Sequence, residues 1–289
     1  MPILATENLT FLYNEGTPFE NAAVRNITFS AEKGEIIGVI GHTGSGKSTL
    51  IQHFNGLLEP SKGKMFVLDE DIWSKENRKK IRSVRFAVGL CFQYPEYQIF
   101  EDTVFNEIAY GPKQMGLSDE EIEKRVYESM QFLGLNKEMA STSPFDHSGG
   151  QKRRIAIASI IAMQPEVLIL DEPCAGLDPK GRDTILNLIK EYQREKGNTI
   201  IFVSHSMEDV AKIASKVMVL KKGELVMYGS VNEVYSRGAE LKEMGLSVPE
   251  VTDVFIKLRE KGIDCRQDIF TVEGAVEEIR RLTEKKEVQ

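Results

Sequence analysis

Residues 41–49, GHTGSGKST, carry the most specific chemistry in the chain. They fit G-x-x-x-x-G-K-[ST] and stand where that pattern must, after the apolar run EIIGVI and before a helical pattern. The glycines let successive backbone N–H groups curl around a β-phosphate, Lys47 reaches β and γ oxygens, and the Ser48 hydroxyl suits Mg²⁺. The nucleotide-binding candidates are therefore Gly41, His42, Thr43, Gly44, Ser45, Gly46, Lys47, Ser48 and Thr49. A partner motif lies at 167–173, VLILDEP, where a fully apolar run ends in two carboxylates. Asp171 suits the Mg²⁺ shell, and Glu172 stands where a water in line with a γ-phosphate needs a base. Such an acidic pair is common by chance, and only the preceding loop makes it specific. Gln93 and His205 also end apolar runs and complete a phosphoryl-transfer set, Gln93 toward Mg²⁺ or the lytic water and His205 toward the γ-phosphate. Taken alone, each is a polar cap. Tyr13 has a ring able to stack on adenine, although packing is the commoner use of such an aromatic.

A second anion-binding pattern appears about a hundred residues later, in PFDHSGGQKRR at 144–154. Ser148, Gly149, Gly150 and Gln151 open a helix whose first-turn N–H groups have no intrahelical partners. One chain thus carries two phosphate-binding helix starts.

The elements that position these residues alternate. Residues 3–40 are short apolar runs separated by turns, and 48–58 is helical. KMFVLDEDI is a strand, SKENRKKIRSV at 74–84 a charged helix, and FAVGLCFQ a strand again. Residues 95–147 are dominated by helices at 104–110 and 119–133, punctuated by Gly111-Pro112, Gly116 and Gly134. With the helix at 149–163 they form a helical insertion over about 95–163. A strand at VLILD, a helix at 179–195, a strand at TIIFVSH, a helix at 207–214 and a strand pair in KVMVLKKGELVMYG follow. This alternation implies a largely parallel sheet with ligand loops at the strands' carboxyl ends. From about 237 the pattern starts afresh with amphipathic helices at 251–261 and 274–285, a small appendage.

Bulk properties narrow the role. A formal net charge of −7 argues against nonspecific nucleic-acid binding, so no nucleic-acid partner is expected. The basic runs at 78–82 and 152–154 are contact patches or, more often for such runs, solvated faces, with Arg153 and Arg154 supporting the helix surface. Cys91, Cys174 and Cys265 have no metal-like spacing, which favours reduced cytosol over a disulfide framework. No apolar run approaches the ~20 residues that span a bilayer, so any membrane role comes through partners.

In order along the chain, Walker A (41–49), Q-loop (Gln93), the SGGQ signature (148–151), Walker B (167–172), the D-loop AGLDP with Asp178 and the H-switch His205 resemble the nucleotide-binding subunits of ABC transporters. The likeness covers nearly all of residues 3–235. Within that family, FQYPEYQIFEDTVFNEIAYGPKQMGLS at 92–118 is similar to the ATPase subunits of energy-coupling factor transporters, and the insertion NEGTPFENAAVRN to the second of their two paralogues. The resemblance implies an α/β fold of ABC ATPase architecture: a P-loop core with a mostly parallel sheet and an antiparallel β part, an inserted helical subdomain, and a small C-terminal α/β appendage. It places an ATPase domain at 1–236 and a dimerisation element at 237–289. It implies ATP and Mg²⁺, catalytic Glu172, His205 and Gln93, and Mg²⁺ at Ser48, Gln93 and Asp171. It also implies head-to-tail pairing, in which Ser148, Gly149, Gly150 and Gln151 meet the ATP held by a second ATPase and Asp178 helps arrange the water. The further partners are a transmembrane coupling subunit, met by the run 94–100, and a membrane-embedded substrate-binding subunit. The implied place is the cytoplasmic face of the cell membrane, and the implied work is uptake of a vitamin or transition-metal ion.

Two positions depart from the family pattern. His147 stands where the signature usually begins with leucine; it is a tolerated side chain or a pH-tuning one. Cys174 replaces a common threonine, neutrally or as an oxidation-sensitive thiol. A soluble ABC ATPase acting on nucleic acid or ribosomes is the alternative, disfavoured by the absence of a long coiled-coil insertion between Gln93 and Ser148 and of a tandem second unit. A regulatory ATP-binding module without turnover is a third class, against which Glu172 and His205 argue.

Overall fold

The computed structural model describes residues 2–266 and 268–287. Its elements run β1 (Leu4–Tyr13), β2 (Asn21–Ala31), β3 (Ile36–Ile40), α1 (Lys47–Phe54), β4 (Lys62–Val67), β5 (Glu70–Asp71), α2 (Ile81–Ala87) and β6 (Val88–Cys91). Then come α3 (Val104–Gln114), α4 (Asp119–Phe132), α5 (Gly149–Ile161), β7 (Val167–Asp171), α6 (Pro179–Lys196), β8 (Thr199–Val203) and α7 (Met207–Ile213). The chain closes with β9 (Lys216–Lys221), β10 (Glu224–Ser230), α8 (Val231–Tyr235), α9 (Gly238–Glu243), α10 (Glu250–Glu260) and α11 (Val272–Glu287).

Two sheets form. One is antiparallel, in the order β2-β1-β4-β5; the other has the order β10-β9-β3-β8-β7-β6 and is parallel from β9 to β6. Strands covered on both faces need apolar residues throughout, and every residue of β3, β6, β7 and β8 is buried. Their side chains alternate between two cores. Ile37, Val39, Ile169 and Val203 face the antiparallel sheet, whereas Ile36, Ile40, Leu170 and Phe202 face the helices. A third, small core gathers Phe255, Cys265, Ile269 and Ala275 near the C-terminus, while Tyr235, Leu241, Leu246 and Val248 still belong to the main one.

Three local expectations change. The helix expected at 74–84 starts only with a 3-10 turn at Arg78–Lys80 that runs into α2 at Ile81, because Asp71 holds the preceding turn through its side chain to Trp73 N–H and its carbonyl to Asn77 Nδ2. Gly111-Pro112 does not break α3: the proline forgoes one bond, and Met115 N–H reaches the Gly111 carbonyl at 3.0 Å. A Cβ at Gly111 would lie 2.6 Å from Met163 Cγ, so glycine lets α3 close onto the end of α5. The C-terminal appendage, expected as α/β, contains helices and no strand among the described residues.

Candidate functional site

Parallel pairing brings the dispersed motifs to one edge. Val39 pairs with Val203, Asp171 with Val203, and Cys91 with Leu170, so β3, β8, β7 and β6 end level with one another. The residues that follow them are Gly41, His205, Glu172 and Gln93. Together with Tyr13, Thr43, Gly44, Gly46, Lys47, Ser48, Thr49 and Asp171, the last three of these line one open cleft of about 580 Å³.

The phosphate loop is held from behind. Gly46 caps α1 at φ 99°, with no side-chain bond to the first turn, which leaves those N–H groups free for an anion. A Cβ on Gly46 would lie 2.4 Å from the Ala23 carbonyl, and one on Gly41 2.4 Å from the Leu220 carbonyl. The loop is laced to both neighbours, Gly223 N–H to the Ser45 carbonyl at 3.0 Å and Arg25 N–H to the Gly223 carbonyl at 2.8 Å. Ser45 is buried behind the loop, and Ser45 N–H bonds the His42 carbonyl at 3.0 Å. The His42 side chain turns away from the cleft, its Nε2 lying 2.9 Å from the Met244 carbonyl.

Lys47 donates to the carbonyls of Gly41 at 2.7 Å and His42 at 3.0 Å. Burial lowers its pKa, opposed by Glu172 and Asp171. Ser48 Oγ donates to Asp171 Oδ2 at 3.5 Å, and Tyr13 OH lies 3.3 Å from Thr49 Oγ1 at the rim. Burial, opposed by Lys47 and Ser48, raises the Asp171 carboxyl. Glu172 is held at φ 51°, in the left-handed region, by its N–H to the Val203 carbonyl at 3.0 Å. Its Oε1 is buried and lies 3.3 Å from His205 Nε2, without the alignment of a hydrogen bond. Burial first, then the Asp171 charge, raises this carboxyl to about 7. The His205 imidazole is pushed below its ordinary value by burial, Lys47 and His42. A carboxyl with a pKa near neutrality, in an open cleft beside a lysine and a phosphate loop, is suited to proton abstraction.

Ser48 and Asp171 are hard oxygen donors side by side, the partial set that suits Mg²⁺ completed by waters and phosphate oxygens. Among the described residues no group of three or more His, Cys, Asp or Glu forms a metal cage.

Ser148, Gly150 and Gln151 line a different cleft of about 340 Å³ together with Asp178 and Gly181, and no residue of the phosphate loop joins them. Ser148 caps α5 in a capping box with Gln151, and Asp178 caps α6 by accepting from Gly181 N–H at 2.9 Å. A Cβ on Gly149 or Gly150 would touch nothing within 4 Å, so the packing of this chain does not itself demand glycine at either position.

Some residues around the clefts have no motif. Arg25 and Lys222 line the same cleft as the Asp171-Glu172 pair. Arg153, expected on the helix surface, is instead buried, pairing with Glu96 through Nε at 3.0 Å and Nη2 at 2.6 Å and donating to the Pro173 and Ala175 carbonyls. It pins the turn after Glu172 to the 94–97 loop. Arg154 caps the end of α4 at the Leu133 and Gly134 carbonyls. His147 Nε2 lies 2.7 Å from Thr142 Oγ1, outside both clefts. Burial pushes the Cys174 thiol up to about 12, against the oxidation-sensitive reading, since the thiolate is the reactive form.

A phosphate loop, an acidic pair and a polar set on the edge of a parallel sheet define a P-loop nucleotide hydrolase. Residues 24–175 match the family model described as ABC transporter. Across 97% of both chains, the sequence is 52% identical to the energy-coupling factor transporter ATP-binding protein EcfA2 of Caldanaerobacter subterraneus subsp. tengcongensis. It is 54% identical to EcfA2 of Clostridium acetobutylicum, over 98% of this chain and 99% of that one. Among solved structures, cbiO1 of Clostridium perfringens, described as part of the ABC transporter complex cbiONQ, superposes with a TM-score of 0.73 at 36% identity, over 84% of this chain and 94% of that one. The ATP-binding cassette MJ0796, as a dimer in a post-hydrolysis state bound to ADP and Pi, gives 0.70 at 26% identity, over 79% and 98%. The chain belongs to the ABC transporter family, among its energy-coupling factor ATP-binding proteins, which are transport-coupled ATPases.

Proposed function

We propose that this chain is the motor of an energy-coupling factor importer for a vitamin or transition-metal ion, hydrolysing ATP at a site completed by a second ATPase subunit. One observation carries the reading: the phosphate loop with Glu172 and His205 occupies one cleft, and the signature with Asp178 another. Two such halves in one chain suit head-to-tail pairing, in which each ATP bridges a phosphate loop and a partner's signature. Gly149 and Gly150, bare on their own chain, suit a backbone that a phosphate must approach.

In this reading Tyr13 stacks on adenine, the loop N–H groups and Lys47 hold the phosphates, and Ser48, Gln93 and Asp171 would hold Mg²⁺, which neutralises charge on the phosphate oxygens. Glu172 takes the proton of the attacking water, and His205 steadies the γ-phosphate. Loss of that phosphate removes the charge that joins the halves and reopens the pair.

A groove of about 320 Å³ lined by Phe86, Phe92, Phe100, Tyr110 and Met163 supports a membrane coupling partner, as does Tyr97 beside it at 84% exposure. Val272, Val276 and Ile279 are exposed at helical spacing along α11, which supports pairing through the segment 237–289. Among the described residues no helix is long and apolar enough to cross a membrane. Through its membrane partners, the proposed place is peripheral, on the cytoplasmic face. The test is purification from the native cells. Membrane proteins and a sister ATPase should co-purify, with ATPase activity that Glu172→Gln abolishes; ribosomes or nucleic acid in their place would favour a soluble ATPase.

A further inference from the structure

The loop that carries His205 is tied to the helix that begins at Asp178. Arg182, in the first turn of α6, donates from Nε to Asp209 Oδ1 at 2.6 Å and from Nη2 to Ser206 Oγ. Ser206 is the cap of α7, accepting from Asp209 N–H at 3.1 Å, and its own N–H donates to Ser204 Oγ at 3.0 Å. Both neighbours of His205 are therefore fixed. At the other end, Arg182 N–H bonds the Asp178 carbonyl at 2.9 Å. Asp209 is 1% exposed, and a carboxylate so buried depends on its cation. Arg182, Ser206 and Asp209 all lie outside the lining of the nucleotide cleft.

We propose that Arg182 is a positioning residue that couples Asp178, on the signature cleft, to the His205–Glu172 pair on the nucleotide cleft. The inference rests on the functional reading above. A partner subunit seated at the signature cleft meets Asp178 and the start of α6. Any shift of that helix reaches Ser206 through the guanidinium, and so moves an imidazole that lies 3.3 Å from Glu172 Oε1. Two donors on one planar group make the link directional, so that a lysine would keep the charge and lose the geometry.

The test uses the assembled transporter carrying Arg182→Met, Asp209→Leu, both together, or Arg182→Lys. Steady-state ATPase is read well below the lowest Tm, where every variant is folded. The single variants should lower kcat between about tenfold and a hundredfold, as a displaced catalytic group does, with the KM for ATP within about twofold of wild type. The double variant replaces both partners with apolar groups, so Tm should recover while kcat stays low. Arg182→Lys should fall between wild type and Arg182→Met. Unchanged kcat in the single variants, a rise in KM as large as the fall in kcat, or recovery of kcat in the double variant would overturn the proposal. Glu172→Gln in the same assay separates the two readings, because turnover that survives it removes the assigned base whatever Arg182 does.

Discussion

Replacing Glu172 with glutamine measures what the fold gives up to keep its base. Burial and the Asp171 charge raise this carboxyl from 4.5 to about 7, so the folded chain holds the proton more tightly than the unfolded one. Ionisation therefore opposes folding. The penalty is absent well below pH 4.5, grows between 4.5 and 7, and is complete above about 7. At about 1.36 kcal/mol per pKa unit the whole penalty is about 3 kcal/mol, and roughly 2.5 kcal/mol of it appears between pH 5 and pH 8. Glutamine has the same shape and does not titrate. Urea unfolding of both nucleotide-free proteins at pH 5 and pH 8 reads the difference. Relative to wild type, Glu172→Gln should gain about 2.5 kcal/mol between the two pH values, as a higher midpoint at unchanged m. A mutant-to-wild-type difference that is equal at both pH values would mean that Glu172 carries no raised pKa in the folded chain. The same proton should appear in catalysis, with kcat/KM of the wild-type complex rising about tenfold from pH 6 to pH 8 as the base ionises.

Arg153→Met leaves the largely covered Glu96 carboxylate without its cation and the Pro173 and Ala175 carbonyls without their donor, and should cost about 3 kcal/mol in urea unfolding, of which adding Glu96→Leu recovers only the carboxylate's part. Gly46→Ala forces a Cβ to 2.4 Å from the Ala23 carbonyl at a left-handed φ, so fluorescent-nucleotide titration should show binding abolished and thermal unfolding a lower Tm. His147→Leu should leave the ATPase pH profile between about pH 6 and pH 8 unchanged, because the imidazole is engaged with Thr142 outside both clefts.

The site was legible in the sequence wherever a motif is local. The phosphate loop, the acidic pair at 171–172 and the capped start of α5 each follow from a few neighbouring residues whose types fix both backbone and chemistry. Their assembly was less legible, because it depends on strand order. β8, drawn from late in the chain, sits between β3 and β7, and that insertion puts His205 beside Glu172. Where local and tertiary terms conflict, the tertiary term prevails. Gly111-Pro112 looks like a helix break, yet α3 continues because it packs on α5. Arg153 looks like part of a solvated basic run, and only the fold supplies Glu96 and two carbonyls around it. Arg25 and Lys222 have no signal at all, since β2 and the β9–β10 turn reach the cleft only through their contacts with the loop.

In the proposed function, a second subunit's signature completes the ATP site of this chain. Analytical ultracentrifugation of the Glu172→Gln chain tests it, alone and mixed with the sister ATPase that co-purifies with it, each with and without ATP. In at least one of these samples an ATP-dependent species with the mass of two ATPase subunits should form, and it should be lost when Ser148→Arg blocks the signature cleft. A single-subunit mass in ATP under every condition would contradict it, as would a pair indifferent to both ATP and Ser148→Arg.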